Sequence, residues 1–252
     1  MFRAPALLLA LALGCASCFQ LKMTAQGGYA KLGVDGDIAL SNTTGGSIID
    51  QDFESAFGLG EDQGSPYLRL QLDLGVPVLT VSGVTFEERG RGTVNATFGN
   101  ISAGTPVDSL LEFSNVKASY AFQIDLGPVA VAPGIAVDLF DLKMNVRDTF
   151  GIAEEDIDVL APIPMAFVRG EVDLAWVAAV AELGYMKVPE IDGIEGQFFD
   201  AELLAEVRPT PLVHLFAGYR LMHLDGEGTV DDEDFAADFN ISGWVIGGGV
   251  RF

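Results

Sequence analysis

Apolar and polar residues alternate with period two along most of this chain. Leu68, Leu70, Leu72 and Leu74 oppose Tyr67, Arg69, Gln71 and Asp73. Val116, Ala118, Tyr120, Phe122 and Ile124 oppose Lys117, Ser119, Ala121 and Gln123. Ala166, Val168, Gly170 and Val172 oppose Phe167, Arg169, Glu171 and Asp173, and Phe199, Ala201, Leu203, Ala205 and Val207 oppose Asp200, Glu202, Leu204 and Glu206. Successive side chains of an extended strand leave on opposite faces, so each segment predicts a strand with one apolar face and one mixed-polar face. Returning segments behave alike: Val177, Ala179, Ala181, Leu183 and Tyr185 share one face, as do Val213, Leu215, Ala217, Tyr219 and Leu221.

The strands come in repeated hairpins. Leu70–Val81, Phe122–Val131 and Gly170–Ala179 each run strand, tight turn, strand, around Asp73-Leu-Gly75, Asp125-Leu-Gly127 and Asp173-Leu-Ala175. Ala205–His214 is a degenerate fourth copy with Arg208-Pro-Thr210-Pro at its turn. Four tight turns join eight strands. A first strand around Leu21–Val34 and a terminal strand, Ile241–Phe252, bring the count to ten. Gly27, Gly28 and Gly33 weaken the first, which leaves eight or twelve open. The terminal strand ends on Phe252, and a closed barrel that pairs its last strand with its first can place an aromatic there against lipid. The predicted fold is all-β: a closed antiparallel transmembrane up-and-down β-barrel of about ten strands. A one-residue slip would put Arg169 or Glu171 into hydrocarbon, at about 2–4 kcal/mol for the basic residue, so register should be firmly set. A soluble ligand-binding barrel would need the opposite polarity, apolar inside and polar outside.

These features resemble the small outer-membrane β-barrels of Gram-negative bacteria, of the outer-membrane protein A and W type. Ile49–Glu61 followed by Tyr67-Leu-Arg69-Leu resembles the first outer loop and second strand of many such barrels, and the Phe-ended strand resembles the class's assembly signal. The resemblance implies location in the outer membrane, contact with its lipids, and recognition of the strand ending at Phe252 by the barrel-assembly machinery. It carries no activity over to particular residues. The four tight turns would be periplasmic. Five longer connections, 36–64, 88–109, 144–162, 188–197 and 224–240, would face outward.

Composition adds three points. Residues 1–17 read as an export leader, with Arg3 before the apolar run Ala6–Leu13, and residues 18–252 as one barrel domain. Leu11-Ala-Leu-Gly-Cys15 resembles a lipobox that would lipidate Cys15; ordinary cleavage before Ser17 is the alternative. Cys15 and Cys18 are the only cysteines and stand too close together to staple a fold. Mean hydropathy is +0.33 although the formal charge is −22. The acids therefore sit apart from the apolar positions, and their excess argues against nucleic acid as a partner.

Candidate chemistry falls into three groups. Arg69, Lys117, Arg169 and Arg220, with Glu112, Glu171, Glu182, Glu202 and Glu206, are expected to face inward as a charge network. It would be either a salt-bridged plug, since buried charges must pair, or the lining of a narrow pore. Asp225, Glu227, Asp231, Asp232, Glu233 and Asp234 form the densest acidic connection and offer oxygens to divalent cations. EF-hand spacing fails there, because Val230 stands where glycine is needed. His223-Leu-Asp225 lies near the outer rim, where omptin-family proteases, also ten-stranded, use Asp and His. His214 falls near a periplasmic turn on the inward face. Ser47–Leu59 is either a short helical lid in the barrel mouth or an irregular strand extension. No phosphate loop, zinc spacing or nucleophile elbow appears, and no cofactor is implied. The expected role is a non-catalytic structural or surface protein; a narrow diffusion channel for small solutes or cations and an omptin-like rim hydrolase are the alternatives.

Overall fold

The computed structural model describes residues 21–41, 49–191, 194–230 and 233–252. The leader, Cys15 and Cys18 lie outside the described residues. In chain order the elements are β1 (Lys22–Leu40), β2 (Gln51–Asp52), α1 (Phe53–Phe57), β3 (Gln63–Asp73), β4 (Pro77–Thr93) and β5 (Pro106–Phe122). There follow β6 (Ile124–Asp125), β7 (Val129–Asp148), β8 (Glu154–Asp173), β9 (Val177–Ile191), β10 (Ile194–Val207), β11 (Val213–Val230) and β12 (Glu233–Arg251). β2 and β6 are two-residue pieces; the other ten strands form the wall. Each of the ten pairs antiparallel with the next, and β12 returns to β1, with Thr24 opposite Arg251 and Leu40 opposite Phe235. The barrel is closed, as the alternation predicts.

Parity holds around the wall. Leu68, Leu70, Val116, Phe122, Val168, Leu183, Leu203, Leu215 and Ile246 are exposed, while Tyr67, Arg69, Lys117, Glu182, Glu202 and Arg220 are buried inside. Phe122, Trp176 and Phe252 stand outward at the tight-turn end; Tyr29, Tyr185, Tyr219 and Trp244 stand outward nearer the mouth. The rise from Trp176 to Tyr185 covers nine residues of chain. At ~3.3 Å per residue and a tilt of ~45° this spans about 21 Å, close to the apolar band of an outer-membrane barrel. No helix among the described residues is long and apolar enough to cross a membrane.

The repeated turn has a local cause. The Asp73 carboxylate accepts from the Gly75 N–H at 2.8 Å, and the Asp173 carboxylate from the Ala175 N–H at 2.9 Å. Both third residues are left-handed, with φ of 91° at Gly75 and 67° at Ala175. Asp–x–Gly supplies the acceptor and the permissive backbone at once; Ala175 adopts the same geometry without that freedom.

The outer connections are shorter than the sequence suggests. β7 and β8 each run 20 residues, about twice what a tilted strand needs to cross a bilayer. Asp148, Glu154, Asp156, Asp158, Asp225 and Glu227 therefore lie on strands that project past the membrane, not in loops. The ladders continue because their inward rows stay apolar and find something to bury against. Phe86, Leu111, Phe113, Phe140, Leu142, Met144 and Val146 are buried there, while Arg89, Arg91, Asp108, Glu112, Lys143 and Arg147 face out. The polarity of a soluble barrel thus appears above the band, on the same strands.

One seam does not close to the top. β8 pairs with β9 only from Ala166–Tyr185 to Asp173–Ala178. Above that level β8 follows β7 as far as Glu154, and β9 follows β10 as far as Ile191.

Candidate functional site

Among the described residues the lumen holds the largest buried set of ionisable groups, and it is filled in three tiers. The middle tier is a buried ion network. Arg69 donates through Nη1 to Glu202 and through Nη2 to Glu182. Glu182 also receives Arg169 Nη1 at 3.0 Å and lies 3.4 Å from Lys117 Nζ. Lys117 donates to Asp200, which Arg220 Nη2 reaches at 3.0 Å; the same nitrogen donates to Asn115 Oδ1 at 2.6 Å. Asn115 in turn donates to Asp138, and Tyr67 donates its hydroxyl to Glu202 at 2.8 Å. These side chains come from β3, β5, β7, β8, β9, β10 and β11. Alternation alone aims them at one axis, and charges held away from water require this degree of pairing.

The lower tier, at the tight-turn end, holds Arg169 with Glu171 at 2.8 Å and Arg208 with Asp173 at 2.5 Å and Glu206 at 3.3 Å. Gln26 Nε2 donates to Glu206 at 2.8 Å and stands 2.9 Å from His214 Nε2. A cavity of about 20 Å³, one water's worth, remains between Arg169, Glu171, Glu206, Arg208 and His214. Inward glycines of β12 make room for bulk here. A Cβ on Gly247 would come within 2.6 Å of the Phe216 ring, and one on Gly249 within 2.6 Å of His214 Nε2.

The upper tier is aromatic. Phe98, Phe57, Phe53, Phe239, Phe140, Phe113, Phe86 and Phe198 form one connected chain of rings with centroids 5.0–6.3 Å apart. Helix α1 contributes two of them from the mouth, so of the two readings of Ser47–Leu59 the structure gives a helix over 53–57. Asp52 caps it by accepting from Ser55 N at 2.7 Å, and Gly58 ends it at φ 68°. Glu88 Oε1 accepts from Gly60 N at 2.8 Å and Glu61 N at 2.7 Å, which fastens the segment to β4. Gln51 Oε1 accepts from Asn95 N at 2.8 Å and so ties in the β4–β5 connection that carries Phe98.

Eight of the nine expected network residues do face inward: Arg69, Lys117, Arg169, Glu171, Glu182, Glu202, Glu206 and Arg220. Glu112 does not. On β5 the inward row is Leu111, Phe113, Asn115 and Lys117, so Glu112 faces out, opposite Lys143 of β7. Asp200, Asp138, Asn115, Tyr67 and Arg208 complete the network and were not among the expected residues, although parity with Glu202 and Lys117 already placed Asp200 and Asn115 on the inward rows.

The rim residues separate. His223 and Asp225 occupy the outward row of β11 with Leu215 and Tyr219, so they face away from the barrel mouth. His223 Nδ1 lies 3.8 Å from Asp238, and Asp225 accepts from Gln197 at 2.7 Å. Asp231 and Asp232 lie outside the described residues, as does Cys15; Glu233 and Asp234 begin β12. Among the described residues no three metal-ligating side chains converge. Acids do gather around Asp37 at the mouth end of β1. Burial first, then Asp52, Asp50, Asp238 and Asp35, push its carboxyl above the usual range.

No family model matches the chain, and no curated protein does. Solved structures match in fold. The outer membrane protease OmpT from Escherichia coli is 9% identical, with a TM-score of 0.54 over 92% of this chain and 96% of that one. Ail, the attachment invasion locus protein of Yersinia pestis, is 13% identical, with a TM-score of 0.39 over 92% and 99%. Neisserial surface protein A is also 13% identical, with a TM-score of 0.31 over 92% and 95%. At such identities the likeness concerns the fold and no activity. A closed ten-stranded antiparallel wall, an apolar outer band between aromatic residues and, at the level of that band, charges turned into the lumen make this chain a bacterial outer-membrane β-barrel.

Proposed function

We propose that the protein is a non-conducting, non-catalytic barrel whose lumen serves as its core and whose extended strands present an acidic surface outside the cell. The observation that carries this reading is the occupied axis. Ion pairs fill the lower and middle tiers, and eight phenylalanines fill the upper one. A small cation would have to separate Arg69 from Glu182 and Glu202, where breaking a buried pair costs about 3–5 kcal/mol. His223 and Asp225, facing outward, do not supply a rim site for an omptin-like hydrolase. Outer-membrane lipids and the assembly machinery are the partners this reading needs; divalent cations at the acidic mouth would be loosely held.

One observation favours a channel as the second reading. The uppermost plug, α1 and the β4–β5 connection, is a separate segment held by Glu88 and Gln51, not part of the wall. Planar-bilayer recording of purified protein tests both. Silence from the intact barrel and from one lacking residues 51–61 supports the closed reading. Discrete conductance in the shortened barrel alone supports a gated channel, and conductance in both overturns the proposal.

A further inference from the structure

Prolines account for the split between β8 and β9. Hydrogen-bonded and non-bonded pairs alternate along an antiparallel ladder. Leu174 N donates to Val177 O at 2.9 Å across the β8–β9 turn, while Asp173 N donates the other way, to Pro128 O, at 2.8 Å. At the far end of β8 the flanking odd residue, Ala153, accepts from Asp148 N at 3.0 Å on the β7 side. Even residues of β8 therefore turn their N–H and C=O towards the β9 side. Continuing the register beyond Ala166–Tyr185 would set Pro164 opposite Lys187 and Pro162 opposite Pro189. The first rung lacks one donor of two and the second lacks both, so the ladder stops. The same prolines remove two N–H groups where Leu160, Pro162 and Pro164 approach the lipid face, a place where an unpaired donor is costly.

Above the prolines the edge is open again. Glu154, Asp156, Asp158 and Leu160 keep their N–H groups, face the free side, and have no strand beside them among the described residues. The outward row is acidic: Glu154, Asp156 and Asp158. The other row starts at Glu155, whose Oε1 accepts from Asn100 N at 2.5 Å, and continues apolar through Ile157, Val159 and Ala161, half-buried to exposed. Arg147 answers Glu154 at 2.8 Å, but Asp156 meets only the neutral Asn145 at 2.6 Å, and Lys143 stands 3.7 Å from Asp158. Self-pairing of two such edges would set acid opposite acid.

We propose that the β8 edge from Glu154 to Leu160 docks an added strand from a protein partner whose side chains alternate basic and apolar. The backbone rungs supply affinity, and the acidic row selects Lys or Arg on one face of the incoming strand. The inference is independent of whether the lumen conducts. A fluorescein-labelled decapeptide of alternating Lys and Val, titrated against the barrel in nanodiscs, tests it. Saturable binding is expected, at least tenfold tighter than for alternating Glu and Val or for the same Lys and Val residues arranged in two blocks. Asp158→Pro removes one edge donor while leaving the β7 side of the ladder intact, and should weaken binding about tenfold. A decapeptide N-methylated at its lysines, the residues set opposite the acids and so bonded to β8, should also fail to bind, a check that needs no altered barrel. Equal binding of the acidic or N-methylated peptides, or unchanged binding by a folded Asp158→Pro barrel, would overturn the proposal.

Discussion

Met23 and Phe252 exchange both backbone hydrogen bonds, at 3.0 Å from Met23 N and 2.8 Å from Phe252 N. This rung closes the cylinder at its tight-turn end. Phe252 itself is largely exposed, among the outward aromatics that face lipid. Changing it to Asp keeps the rung but places a charge at the interface. Deleting it removes the rung as well, worth about 1–3 kcal/mol for two bonds. Both should lower the amount of heat-modifiable barrel in the outer membrane, the deletion more. Equal surface levels for all three proteins would show that the terminal residue plays no part in assembly.

Neighbouring substitutions separate the two faces. Leu70→Arg puts a cation into the lipid band and should cost about 2–4 kcal/mol. Gln71→Arg points instead towards the small cavity beside Glu171 and Glu206 and should be nearly neutral. Urea midpoints of the two refolded barrels would give the difference.

Ala175→Gly should stabilise. The position is left-handed, and a non-glycine residue there costs about 1 kcal/mol. Gly75→Ala, in the first copy of the turn, should lose a similar amount. Opposite shifts in the midpoint of unfolding are expected; shifts of the same sign would refute the equivalence of the two turns.

Glu182→Gln leaves Arg69, Lys117 and Arg169 without their shared anion. We expect a loss of about 3–5 kcal/mol. Phe140→Ala, at the centre of the ring chain, should cost a comparable 3–5 kcal/mol through the cavity it leaves. Glu112→Gln, on the outer face, should change stability by less than about 0.5 kcal/mol. If Glu112→Gln matched Glu182→Gln, the parity of β5 would be wrong.

Asp37 gives the acidic mouth a pH dependence of definite sign. Its folded pKa is raised, so the folded state holds the proton more tightly than the unfolded chain does. Its contribution is therefore unfavourable at neutral pH and fades as pH falls through the raised folded value and then the ordinary carboxylate range. Asp37→Asn should raise the melting temperature at pH 7 and do little at pH 3. A larger gain at pH 3 would contradict the sign.

Alternation made the wall legible because a period of two survives even where composition changes. It placed Arg69, Lys117, Glu182 and Glu202 on the inner face, and the terminal strand beside the first. The charge of Glu112 suggests a place in the network, but its parity with Val116 and Ala118 puts it on the outer face. Asp200 and Asp138 do not stand out in the sequence, because a carboxylate on an inward row carries no local mark of which cation lies across the barrel. The aromatic tier was hidden for a related reason. Phe86 and Phe113 face each other across the β4–β5 ladder and Phe140 follows on β7, but Phe198 on β10 and Phe239 on β12 meet Phe140 only once the cylinder closes. The extensions of β7 and β8 read as loops in the sequence because their acids resemble solvated connections, although the apolar residues between those acids keep the period.

The change of polarity along single strands divides the molecule by solvent while it remains one sheet. Below, lipid outside and ions within must coexist, so that part gains its fold only on entering a bilayer. Above, water outside and phenylalanine within is the arrangement of an ordinary aqueous core. The two halves should therefore answer to different insults. Detergent exchange should loosen the base first, and aqueous denaturant the crown. During biogenesis the crown's phenylalanines must cross to the far side unpacked, so the chain is most exposed to aggregation in the interval between export and closure. The aromatic core that seals the finished barrel is also its liability in transit.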